Sequence, residues 1–300
     1  MTTKPRDLAM FTVTLITNPA MILDPALVRT LRDAMGGGDV LWLAPKTAAE
    51  FAVRKLPGSM ADIRDSLTAE GVDMIAQPSI GRRKKLLLAD MDSTMIRQEC
   101  IDELAVAAGI GPQVSEITAR AMNGELDFEG ALKARVALLK GLPETVIGDV
   151  LARRITMMPG GATLVATMKA HGAYAALVSG GFTAFTQAVA ARLGFDEHRA
   201  NTLNIENGQL AGTVAEPILG REAKVAALDD LSAKLGLSDA DVLAIGDGAN
   251  DLGMLMRAHL GVAVHAKPVV QAQAPHAINH GDLTALLYAQ GYAKADFVIA

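Results

Sequence analysis

LLLADMDSTMI, Leu86 to Ile96, runs from a greasy strand into acid and hydroxyl. Leu86, Leu87, Leu88 and Ala89 lead into Asp90, and Asp92 follows with Ser93 and Thr94 beside it. An unbroken apolar run ended by polar residues is the pattern of a strand buried on both faces of a parallel sheet. Two like charges delivered together at a buried strand end repel each other unless something holds them. The rest of the chain must then supply the neighbouring strands and the answering groups.

Runs of the same kind follow at Ala173–Ser179, Val242–Ile245 and Gly261–Val264, with helical patterns at Phe182–Leu193 and Glu222–Leu235 between the later ones. Strands alternating with helices predict an α/β fold around a mainly parallel sheet. Residues 91–172 interrupt that rhythm with IDELAVAAG, VSEITARAMNG, FEGALKARVALLKG and ETVIGDVLARRI, all of helical pattern. A crossover needs only one helix. The surplus predicts a helical cap at about residues 97–158 over the strand ends, where it would exclude water. Pro159 and Gly160-Gly161 mark the return to the core.

Ligands of open parallel sheets sit at the carboxyl ends of strands. Three such ends carry chemistry here: Asp90, Asp92 and Thr94 after the first, Ser179-Gly180-Gly181 after the second, and Asp247, Asn250 and Asp251 in GDGAND after the third. Lys224 opens the helix between the second and third. Oxygen-only carboxylate ligands suit Mg²⁺, which takes one or two carboxylates together with substrate phosphate. Ser179 offers a hydroxyl, Gly180 and Gly181 offer bare N–H groups, and Lys224 offers a positive charge. Together they fit the three phosphoryl oxygens of a phosphoryl-transfer site. An Asp can be the nucleophile of such a reaction.

Composition excludes other classes. A net charge of −5 and 4% aromatics argue against a nucleic-acid surface. No apolar stretch is long enough to span a membrane, and MTTKPRDLAMFTV lacks the apolar core of a secretory leader. Cys100, the single cysteine, can form no internal disulfide and reads as a small buried hydrophobe, so a reducing, cytoplasmic location is expected. Arg82-Arg83-Lys84-Lys85 reads as a solvated linker. His276 and His280 read as loop or helix-surface residues rather than a zinc pair, and Asp282–Tyr292 as a closing amphipathic helix.

Residues 1–80 form a separate pattern of interleaved strands and helices, a small α+β unit ahead of a domain over 84–300. An apolar run at Met10–Ile16, a helix over DPALVRTLRDAM, extended character at Asp39–Ala44, a helix over SMADIRDSLTAEG and a strand at VDMIAQP succeed one another. No chemical constellation is found there.

The order DMDST, Ser179, Lys224, GDGAND resembles the four motifs of the haloacid-dehalogenase superfamily of phosphohydrolases, over roughly residues 84–300. Within it, DSTMIRQECIDELA, MNGELDFEGALKARVALLKGLP and LVSGGFTAF look like segments of the phosphoserine phosphatase branch. The resemblance implies a Rossmann-like core, an inserted helical cap and Mg²⁺ as cofactor. It implies hydrolysis of O-phosphoserine through an aspartyl-phosphate, the last step of serine biosynthesis. Transfer of the phosphate to homoserine or another alcohol, and a non-enzymatic phospho-ligand binder, are the alternatives.

By the resemblance, Asp90 is the nucleophile and Asp92 the general acid and base. Asp90, the Asp92 carbonyl and Asp247 hold the metal, with Asp251 in support. Ser179, Gly180 and Lys224 bind phosphate, and Asn250 is a polar member of the fourth motif. In the cap, Glu99 faces the substrate ammonium and Arg135 its carboxylate, while Met122 and Phe128 line the pocket. The N-terminal part is loosely similar to the ferredoxin-like, amino-acid-binding (ACT) domains that precede some of these enzymes. A regulatory site, a homodimer surface and plain packing all stay open for it.

Overall fold

The computed structural model describes residues 10–122 and 125–299. Its first unit is β1 (Phe11–Thr17), α1 (Pro25–Ala34), β2 (Leu41–Ala44), β3 (Ala48–Val53), α2 (Met60–Ala69) and β4 (Val72–Pro78). The strands lie in the order β2-β3-β1-β4, and β1 pairs antiparallel with both β3 and β4. This is the split βαβ arrangement of a ferredoxin-like sheet. Val13, Leu15, Phe51 and Met74 form its own core with Val28 of α1 and Leu67 of α2. Asp24 caps α1 by accepting a bond from the Ala26 N–H at 2.8 Å, ahead of Pro25 at the first helical position.

The second unit starts with β5 (Leu86–Ala89), whose four residues are all buried, as the unbroken apolar run predicts. The insertion then contributes α3 (Cys100–Ala107), α4 (Gly111–Met122), α5 (Phe128–Ala137) and α6 (Thr145–Arg153). Its two ends are tied together: Ile96 bridges antiparallel to Met157, and the Met158 N–H donates to the Met95 carbonyl at 2.9 Å. Asp127 caps α5 through the Gly130 N–H at 2.7 Å, which fixes where Phe128 begins its helix.

Helix α7 (Gly161–Ala170) returns the chain to β6 (Tyr174–Phe182), α8 (Thr183–Leu193) and β7 (Glu197–Asn201). A hairpin follows, β8 (Leu203–Glu206) and β9 (Gln209–Val214), turned by Asn207 and Gly208 at φ 51° and 75°. Both positive angles suit a type I′ turn. Then come α9 (Arg221–Leu235), β10 (Val242–Gly246), α10 (Leu252–Arg257), β11 (Leu260–Val264), α11 (Pro268–Gln271), β12 (His276–Ile278) and α12 (Ala285–Ala289). The large sheet has the order β12-β11-β10-β5-β6-β7 and is parallel throughout. Apolar clusters cover both faces. No described helix is long and apolar enough to cross a membrane.

Three expectations need correction. The basic run is not a solvated linker. The Arg82 guanidinium pairs with Glu50 of β3 and donates to the Ala289 carbonyl at 3.1 Å, and the buried Lys84 ammonium donates to the Ala240 carbonyl at 2.8 Å. Only Arg83 and Lys85 face water. His276 opens β12 rather than lying in a loop or on a helix surface. Helix α12 is short and buried all round, because it wedges between α7 and β1 instead of lying on the surface. The two units also meet through Asp73 of β4, whose carboxylate accepts the N–H groups of Asn279, His280 and Gly281 at 2.7, 3.0 and 2.7 Å.

Candidate active site

Sheet order alone brings the three motif-bearing strand ends together. Strand β5 sits between β10 and β6, with Ala89 level with Ile245 on one side and Leu177 on the other. The Asp90 N–H donates to the Ile245 carbonyl at 3.0 Å, extending the ladder one residue into the acidic motif. Asp90, Asp247 and Asp251 converge there, each with a carboxylate oxygen within 4.8 Å of the others.

Lys224, 2% exposed on the first turn of α9, enters this cluster. Its ammonium lies 2.7 Å from Asp90 Oδ1 and 2.6 Å from Asp251 Oδ1. Burial works against the ammonium, yet Asp90 and Asp251 outweigh it and hold the Lys224 proton tighter than usual. Asp251 Oδ2 accepts the Gly248 N–H at 2.9 Å, so both oxygens of that wholly buried carboxylate are engaged. A β-carbon on Gly246 would sit 2.3 Å from the Asp251 carboxyl carbon, so only glycine lets this side chain lie across the strand end.

The other carboxyls resist ionising. Burial pushes Asp90 well above the usual carboxylate range, with Asp251 adding repulsion that Lys224 only partly relieves. Asp247 is raised to about 7, by burial first and by Asp251 next, against the Thr94 hydroxyl that donates to its Oδ1 at 3.0 Å. Three crowded oxygen donors that repel one another, beside a single ammonium, fit a small hard divalent cation.

Asp92 stands apart from that cluster. The N–H of Cys100, first residue of α3, donates to its Oδ1 at 3.0 Å, and the Ser179 hydroxyl donates to its Oδ2 at 3.4 Å. Burial and then Glu99 raise it to about 6. Cys100 is buried as expected, and burial pushes its thiol far above the ordinary range. What the sequence did not reveal is that its backbone ties the cap to Asp92.

Ser179 is buried in the carboxyl-terminal half of β6, where its Oγ accepts the Gly181 N–H at 2.8 Å while its hydrogen goes to Asp92 Oδ2. Phe128 of the cap packs over Gly180 and Gly220, where added β-carbons would lie 3.0 and 3.3 Å from its ring. Glu99 is exposed at the N-cap of α3, but its carboxylate caps nothing. It accepts the Ser93 hydroxyl at 2.6 Å instead.

Arg135, half-buried on α5, donates to the Ala131 carbonyl at 3.2 Å. Burial lowers its proton affinity, while Asp102, Glu99 and Asp92 pull it back. Asn250 lies in the loop before α10 with its Oδ1 against Gly248. Met122 ends α4, and its side chain lies outside the described residues. Sequence reasoning missed Asp102, Asn201 and the Ser93–Glu99 bond. No local pattern marks the first two, whereas Ser93 was legible as a neighbour of the acids.

Residues 87–256 match the haloacid dehalogenase-like hydrolase family. The chain belongs to that family. A phosphoserine phosphatase of Streptomyces coelicolor is 43% identical over 258 residues, which cover 84% of this chain and 62% of that protein. The chain therefore spans less than two thirds of that relative's length. Among solved structures, a family hydrolase of Salmonella enterica serovar Typhi superposes with a TM-score of 0.85 at 31% identity, covering 96% of this chain and 99% of that one. A probable phosphoserine phosphatase of Vibrio cholerae, unliganded, gives 0.77 at 31% identity, covering 96% and 88%. Both likenesses take in the N-terminal sheet as well as the hydrolase core.

Proposed function

We propose that the protein hydrolyses O-phosphoserine to serine and phosphate, the closing step of serine synthesis, with Mg²⁺ as cofactor. The observation that carries this reading is the convergence of Asp90, Asp247, Asp251 and Lys224 beside Ser179 and Gly180, beneath Phe128 of the cap. The name of the Streptomyces relative supports the choice of substrate. Asp90 and Asp247, with the Asp92 carbonyl and with Asp251 in support, would hold Mg²⁺, which supplies charge neutralisation for the phosphoryl oxygens.

An Asp90 oxygen attacks phosphorus, and the phosphorus–oxygen bond to serine breaks. Asp92 gives its proton to the departing serine oxygen. It then takes one from the water that attacks the aspartyl-phosphate, which releases phosphate and restores Asp90. A carboxyl raised to about 6 suits both halves of that exchange near neutral pH. Lys224 stays charged throughout and steadies the phosphoryl oxygens with the Ser179 hydroxyl and the Gly180 N–H. Glu99 answers the substrate ammonium and Arg135 its carboxylate, the latter by a planar fork. Met122 and Phe128 close the pocket, and Asn250 shapes the loop of the fourth motif.

Residues 1–80 and 84–300 are read as two domains, the first a packing or regulatory module that could also pair two copies of the chain. Sedimentation of the full chain tests the pairing. For the activity, phosphate release is measured over a panel of small phosphomonoesters with Mg²⁺, with and without homoserine. O-phosphoserine should lead the panel, and homoserine should divert none of its phosphate. Release from no ester would refute the enzyme reading. Arg135→Ala and Glu99→Gln should each cost roughly a hundredfold in kcat/KM for O-phosphoserine, about 3 kcal/mol for a lost charged bond, and far less for 4-nitrophenyl phosphate. Equal losses on both would refute the cap assignments alone.

A further inference from the structure

Strand β6 does not run straight into α8. Its register with β7 breaks between Val178, which faces Arg199, and Phe182, which faces Asn201, so the stretch holding Ser179, Gly180 and Gly181 arches out of the ladder. A backbone arch has no ladder partner of its own, and its peptide groups must be turned by something else.

The group that fills the arch is the Asn201 side chain, at the end of β7 and 2% exposed. Its Nδ2 donates to the Gly180 carbonyl at 2.8 Å and to the Leu219 carbonyl at 3.2 Å, while its Oδ1 accepts the Leu219 N–H at 2.7 Å. One amide thus clasps two loops, the one that bears Ser179 and the one that leads through Gly220 into α9 and Lys224. Phe128 rests on both loops at once, over Gly180 and Gly220.

We propose that Asn201 is a positioning residue for phosphate. By holding the Gly180 carbonyl away from the site, it fixes the Gly180–Gly181 peptide so that the Gly181 N–H binds Ser179 Oγ. The Ser179 hydroxyl, which leans on Asp92 Oδ2 at 3.4 Å, then needs only to rotate to join the Gly180 N–H in facing the phosphoryl group. By holding Leu219, it sets the start of α9, and so Lys224, at a constant distance from those donors. Asn suits this task because it offers two donors and an acceptor on one short planar group. A carboxylate of the same shape would face two carbonyl oxygens with no hydrogen to share.

This inference rests on the phosphomonoesterase reading, so its test measures phosphate binding apart from turnover. Orthophosphate is titrated into the Mg²⁺-loaded full chain by calorimetry, for the parent, Asn201→Ala and Asn201→Asp. Both variants should bind orthophosphate roughly ten- to a hundredfold more weakly, since Asn201→Asp loses the two bonds donated by Nδ2 and Asn201→Ala loses all three bonds of the clasp. KM for O-phosphoserine and for 4-nitrophenyl phosphate should rise by the same factor, because the disturbed groups face the phosphoryl end common to both. If Asn201→Ala does not fold, Asn201→Asp, nearly isosteric, carries the measurement. Orthophosphate affinity within twofold of the parent in a folded variant overturns the proposal. So does a loss of kcat with KM unchanged, the mark of a merely structural role. A parent that binds orthophosphate but hydrolyses no ester would sink the proposed activity and leave the role of Asn201 standing.

Discussion

Replacing Lys224 by Met removes a buried cation while keeping an apolar stem out to the ε position. At an effective dielectric near 20, the contact with Asp251 at 2.6 Å contributes about 6 kcal/mol of attraction, and the contact with Asp90 at 2.7 Å as much once that carboxyl is ionised. Burial of the ammonium takes back several kcal/mol. The variant also leaves Asp90 and Asp251 buried with nothing between them. Breaking a buried pair in this way costs about 3–5 kcal/mol. Urea unfolding in EDTA should therefore show Lys224→Met less stable by that amount, with an unchanged slope against denaturant. Added Mg²⁺ should then stabilise the variant more than the parent, since it would be the sole cation among three carboxylates. Turnover should be lost in either case. A loss under about 1 kcal/mol in EDTA, or equal Mg²⁺ increments for parent and variant, would refute the account of Lys224 as the charge that holds the acidic cluster together.

Thr94→Val keeps the shape but deletes the bond to Asp247, whose carboxyl stands at about 7 and would rise further. The Mg²⁺ concentration for half-maximal activity should climb roughly three- to tenfold at pH 7 and converge with the parent near pH 9, where protons no longer compete; no shift at pH 7 would count against it. His276 is held neutral by burial, with Arg64 and His259 adding to the effect, and its pKa falls to about 4. Because the unfolded chain protonates this ring first, stability should fade as pH drops from about 6.5 towards 4, by roughly 1–3 kcal/mol, and His276→Gln should flatten that slope in urea melts. Gly160→Ala places a β-carbon 2.7 Å from the Thr284 amide nitrogen at φ 81°. It should cost at least about 1–3 kcal/mol and lower activity through the cap's return segment; a neutral effect on both would refute the tight fit of Gly160 against Thr284.

The buried parallel strands were the legible part of the fold. Leu86–Ala89 was bounded correctly, and β10 and β11 differ from expectation by one residue each, because strands covered on both faces write themselves as apolar runs. Strand β7 was not legible. Its sequence EHRAN carries polar residues because it is the sheet's edge. Strand β3, AAEFAV, hid for a related reason, since its alanines and one acid carry little strand preference. The hairpin of β8 and β9 was not among the expected strands either, although Asn207-Gly208 between alternating residues is the signature of its turn. At the site, motif order located the carboxylates, Ser179 and Lys224. It could not locate Asn201, whose worth lies in a clasp between loops that only the register break of β6 creates.

The clamp on Asp73 gives the two sheets a shared fate. Three N–H groups of residues 279–281 spend their bonds on a carboxylate that belongs to the other unit, and the neighbouring Leu283 N–H binds the Pro159 carbonyl at the foot of the cap. A catalytic fragment cut near Gly81 would lose the acid and leave that turn with an unfilled anion nest. It would also strip Glu50 from Arg82. The segment at Arg82–Lys85, which looks from its charges like a place to sever the protein, is one of the seams along which it is sewn.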